Sequence, residues 1–131
     1  MRNYGMAYAA HNAVFLCAAC GAEGMVRISV TRSPENSIRR QRNVIAAQWA
    51  WIGSESRAKL LVKRLRRDWA ARYVIGEGYR FDYATEGAAF RDELNRSFLE
   101  VVGGRAQWEK LGPDGLRVLR GANKGRTSKT A

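Results

Sequence analysis

Nine cationic residues stand in three short runs: Arg27 and Arg32; Arg39, Arg40 and Arg42; and Lys59, Lys63, Arg66 and Arg67. Guanidinium and ammonium groups at this density are suited to neutralising phosphates, in contacts that are independent of sequence and sensitive to salt. Simple solvation of a basic face is the plainer explanation for any one run. Lys and Arg total 23 against 12 Asp and Glu, a formal charge of +11, and that balance favours a polyanionic partner. Nucleic acid is expected over a membrane, because no lipid-facing helix stands out. Trp49, Trp51 and Tyr79 are candidates for base stacking wherever they are exposed. Trp49 and Trp69 are expected in the core.

Other chemistries find fewer residues. Cys17 and Cys20 form a single C-x-x-C, but a zinc site needs about two further ligands, and His11 is the one histidine. Residues three apart on a strand point to opposite faces, so the pair is expected to be buried free thiols. Glu55, Glu77 and Asp82 are the acids around which a rearranged metal site is conceivable. No metal site and no cofactor are expected. No helix-turn-helix, zinc-finger or RNA-binding signature points to base-specific readout.

The elements that must position these residues follow from periodicity and capping. At 131 residues, with 46% hydrophobic and 27% charged content, the chain is long enough for one packed domain. Residues 13–20 (AVFLCAAC) read as a mostly buried strand. GAEG at 21–24 is a turn, and MVRISVT at 25–31 alternates, with Val26, Ile28 and Val30 on one face. A helix is expected from Pro34 to about Arg42, with Ser33 as its N-cap and Glu35 in its first turn. Residues 44–52 (VIAAQWAWI) read as a third strand that Gly53 ends. Ser54 is expected to cap a second helix, with Ala58, Leu61, Leu65 and Trp69 as its buried stripe.

Residues 76–83 (GEGYRFDY) read as a short strand or ordered loop. Thr85 is expected to cap a third helix that buries Phe90, Leu94, Phe98 and Val101 and ends at Gly103 and Gly104. Trp108, Leu111, Leu116 and Leu119 indicate a small helical appendage. The expected division is an arm at 1–12, a core domain at 13–104, the appendage at 105–120 and a flexible basic tail at 121–131. The start of the chain is interrupted by Asn3, His11 and Asn12, which argues against a signal peptide, and no apolar run reaches the roughly 20 residues of a membrane span. A cytoplasmic protein is expected. The fold class is α+β: a small, mostly antiparallel three-stranded sheet flanked by helices, with a C-terminal helical extension.

The order strand, strand, helix, strand, helix, together with "RISVTRSPENS" at 27–37, resembles the GIY-YIG nuclease superfamily, in its branch of small phage and bacterial domains. The matching features are Ile28, Thr31, Pro34 and Glu35. Later, "LRRDW" followed by "GEGYRF" is similar to that branch's helix ending and its G-E-W-F segment. The resemblance spans about residues 13–83. It implies a fold whose members cleave phosphodiesters with a divalent metal, two hairpin tyrosines, a helix arginine and a metal-binding glutamate.

Carried over residue by residue, that set is missing. The tyrosine positions fall at Phe15 and Arg27, the motif glycine at Ser29, the arginine at Ser37 and the glutamate near Val62. "YVIG" at 73–76 has the motif's letters but follows the second helix. Without the metal ligand, metal-assisted cleavage is lost. The expectation is therefore a degenerate GIY-YIG-like, non-catalytic nucleic-acid-binding protein, with DNA favoured over RNA. The alternatives are an accessory module that docks an acidic protein partner, or a homodimer, and a residual metal-dependent endonuclease.

Overall fold

The computed structural model describes residues 14–119 and 121, so the expected N-terminal arm and nearly all of the expected basic tail lie outside the described residues. The fold is α+β. The strands are β1 (Phe15–Gly21), β2 (Met25–Thr31), β3 (Val44–Trp51), β4 (Tyr73–Val74), β5 (Gly78–Arg80) and β6 (Glu109–Leu111). The helices are α1 (Pro34–Arg40), α2 (Glu55–Asp68) and α3 (Tyr83–Val102), with a 3-10 turn at Ala70–Arg72. A last helical segment, α4, covers residues 113–119. Among the described residues no helix is long and apolar enough to cross a membrane.

The strands form one antiparallel sheet in the order β4-β5-β2-β1-β3-β6. Six strands replace the three expected. The difference comes from β4, β5 and β6, which have two or three residues each and are too short to show alternation. Their backbones are held by partners: β5 adds to β2 at Met25 and Val26, and β6 adds to β3 at Ala47 to Trp49. The stretch expected to be a helical appendage thus opens with a strand. Gly78 makes the β5 junction possible. Its φ is +123°, and a Cβ there would run into the Val26 carbonyl oxygen.

β1 lies at the centre, and all seven of its residues are buried. Helices therefore have to cover both faces. On one face, Leu16, Ala18 and Val26 meet Leu61 and Leu65 of α2 and Phe90, Leu94 and Phe98 of α3. On the other, Phe15, Cys17 and Trp49 meet Ile38 of α1 and Leu116 and Leu119 of α4. Trp69 ends α2 as its C-cap and packs against Tyr79, Phe81 and Phe90, with ring centroids 5.0 to 5.5 Å away. Its indole N–H donates to Glu93 Oε1 at 2.9 Å, so the polar atom of a buried ring is satisfied.

Capping separates the correct boundaries from the wrong ones. Ser54 Oγ accepts from the Arg57 N–H and starts α2 as expected. α1 stops at Arg40, and Ser33 makes no side-chain cap; its own N–H donates to Thr31 Oγ1 at 3.0 Å. α3 is capped by Asp82, not Thr85: Asp82 Oδ1 accepts from Ala84 N–H, and Glu86 Oε1 accepts from Asp82 N–H. Aspartate is a better cap than threonine, and this reciprocal pair satisfies two main-chain donors at once. Gly103, at φ +88°, closes the helix as the glycine pair indicated.

Candidate nucleic-acid interface

β5 covers the outer edge of β2 only at Met25 and Val26, so the rest of that edge has no strand partner among the described residues. α2 runs beside it. Between them lies a concavity of about 600 Å³, whose walls include Arg27, Lys63, Arg66, Tyr73, Glu77 and Tyr79. Arg27 comes from β2, Lys63 and Arg66 from α2, and the two tyrosines from β4 and β5. The Arg66 guanidinium lies over the Tyr73 ring, 3.4 Å from its centroid, and the two tyrosine rings are 5.5 Å apart. Burial pushes the Tyr79 phenol above its usual range, while the Arg66 charge pulls it the other way.

What distinguishes these cations is that they have no carboxylate ion-pair partner among the described residues. Arg64 pairs with Asp68 and Glu100, Arg67 with Asp68, Arg72 with Glu86, and Arg117 with Asp114. Among the described residues no such pair involves Arg27, Lys59, Lys63 or Arg66. Helical spacing accounts for the grouping: Lys59, Lys63 and Arg66 are three or four residues apart and share a side of α2. Asp68 and Glu100 are tied to Arg64.

The remaining cations divide by location. Arg39 bonds the Leu119 carbonyl at 3.4 Å and Asn36 Oδ1 at 3.1 Å, on the sheet face that α4 covers. Arg40 bonds the Asn36 carbonyl. Arg40 and Arg42 are exposed on either side of Gln41, which lines the concavity. Arg32 is exposed just past β2. Of the nine, the concavity gathers Arg27, Lys63 and Arg66, with Lys59 one turn away along α2.

Trp49 and Tyr79 are buried and give no stacking surface, whereas Trp51 is 37% exposed. Tyr73 escaped the sequence reading, although "YVIG" held it; only the strand register brings it to Arg27. Val62 and Arg27, the positions that the nuclease resemblance assigns to glutamate and tyrosine, line this same concavity.

Among the described residues no three Asp, Glu, His or Cys side chains converge as a metal-binding group. Glu77 lines the concavity, whereas Asp82 lines a separate one with Glu23. Cys17 and Cys20 are free and buried, one in each core face, as alternation required. Burial pushes both thiols up to about 11, far from the range of a metal ligand or nucleophile.

No protein-family model, curated protein or solved structure matches the chain.

Proposed function

We propose that this protein binds nucleic acid without cutting it, DNA in preference to RNA, through the concavity between β2 and α2. The observation that carries the reading is the convergence of Arg27, Lys63 and Arg66, without carboxylate partners among the described residues, over a pair of tyrosines. Such cations gain by displacing counterions from phosphates, and Tyr73 holds Arg66 in place before the ligand arrives. The preference for DNA and the likeness to a degenerate GIY-YIG domain rest on the motif resemblance, supported by Arg27 and Val62 lining one concavity. The whole-chain charge of +11 acts in the same direction by steering a polyanion toward the site.

The test is fluorescence anisotropy with labelled DNA and RNA between about 50 and 200 mM salt. Affinity should fall steeply with salt, and charge reversal of Lys63 and Arg66 should flatten that dependence. Binding that is absent at low salt, or indifferent to it, rules the reading out. A plasmid incubated with magnesium or manganese should remain intact. Nicking that vanishes in Glu77→Ala would instead establish a residual nuclease.

A further inference from the structure

Beside the cationic concavity, and sharing Ile28, Ser29, Val62 and Lys63 with it, runs a second trough of about 680 Å³. Its walls add Val30 from β2 and Leu60 from α2, with Lys59 at the rim. These apolar side chains are not covered: Val30 is 36% exposed and Leu60 58%. The stripe Val26, Ile28, Val30 goes from buried to exposed as it passes beyond the reach of α2's packed side. We infer that this groove takes single-stranded nucleic acid, seating an unpaired base in the trough and its phosphate on Arg27, Lys63 and Arg66. The inference rests on the nucleic-acid reading above and narrows its ligand.

The physical reason is the pairing of an apolar seat with a cationic one. A duplex keeps its base faces stacked inside and presents phosphates outward. Pressed onto this groove, it would set phosphates against Val30 and Leu60 and leave both trough and charge poorly matched. A single strand offers an apolar base face and an anionic linkage side by side, as the groove does. The β2 edge adds a second observation. From Ile28 to Thr31 its outward main-chain groups have no strand partner among the described residues, so they are available to an unpaired base edge. The Watson–Crick edges of a duplex are already committed to each other, and its groove edges lie recessed between the two backbones.

Three probes of equal phosphate count decide it: an oligothymidylate, an abasic strand with the same backbone, and a hairpin duplex. Oligothymidylate should bind about tenfold tighter than the abasic strand. Leu60→Ser should remove that advantage while leaving abasic binding unchanged. Leu60 is exposed, so a melting curve like that of the parent is the expected control. If the abasic strand or the duplex binds as tightly as oligothymidylate, the base seat is refuted and the nucleic-acid reading stands. If no probe binds in a salt-sensitive way, both fail. A peptide alternating glutamate and valine is the counter-probe, since it would pair with the same edge. If Leu60→Ser weakens that peptide and not the oligothymidylate, the trough takes a β-strand and the inference is overturned.

Discussion

Lys63 and Arg39 look alike in the sequence, each one cation among several, yet their surroundings differ. Lys63 lines both grooves, whereas Arg39 is spent on a main-chain carbonyl and Asn36. Lys63→Glu is expected to weaken DNA binding at least about tenfold and to lower the salt slope by about one unit. Arg39→Glu should leave both nearly unchanged, and the same anisotropy titration reads the contrast. The thiols give a second test at this scale. Burial raises Cys17 and Cys20 from a usual value near 9 to about 11, so the folded state favours the protonated form. Their contribution is intact below pH 9 and is lost as the pH rises toward 11, about 2–3 kcal/mol per thiol. Thermal melts should therefore fall steeply over that window. The Cys17→Ala, Cys20→Ala protein should show a shallower decline, and thiol reagents at neutral pH should label the parent only after denaturation.

At the scale of elements, β2 and α2 were legible because each carries its own signal. β2 alternates, and α2 has a serine cap followed by an apolar stripe, and these elements occupy residues 25–31 and 55–68. Of the short strands, β5 falls within residues 76–83, which read as a short strand or ordered loop, whereas β4 and β6 were not legible. Tyr73–Val74, Gly78–Arg80 and Glu109–Leu111 take strand geometry from the neighbours they pair with, and no local propensity in two or three residues reports that. The cap of α3 was missed for a related reason: reading a short strand or ordered loop as far as residue 83 hid Asp82 as a helix start. Asp82→Ala should cost about 1 kcal/mol and Thr85→Ala much less, measured by chemical denaturation. The same junction responds to acid. The Asp82 N–H first, and then Arg72, holds the Glu86 carboxyl below its usual value of 4.5. That support is present above pH 4.5 and disappears as the pH falls through the lowered value, so Glu86→Gln should blunt the loss of stability in acid.

For the whole molecule, the class was legible and the closure was not. Composition and alternation imply an α+β domain; they do not say that the C-terminal segment covers a second face of the sheet. The candidate site has the same limit. Its cations are visible one by one in the sequence. Their meeting with Tyr73 depends on the register that sets β5 against both β2 and β4. The second core face sharpens this into a prediction. Ending the chain after Gly104 removes β6 together with Leu116 and Leu119, and uncovers Cys17, Ile38 and Trp49. The truncated protein should bind a hydrophobic dye and aggregate, seen by light scattering, whereas ending it after residue 121 should leave a monodisperse, cooperatively melting protein.

That late closure also matters while the chain is being made. β1, β2, α1 and β3 are complete by Trp51, but the side chains that seal one face of their sheet arrive only with residues 116–119. At roughly 5–20 residues per second, several seconds of translation separate the two events. Throughout that interval a nascent chain presents Phe15, Cys17, Ile38 and Trp49 as a sticky surface beside the ribosome. The yield of native protein should therefore depend on chaperone supply and translation speed, and slowing the codons of residues 105–119 should lower it without changing one amino acid.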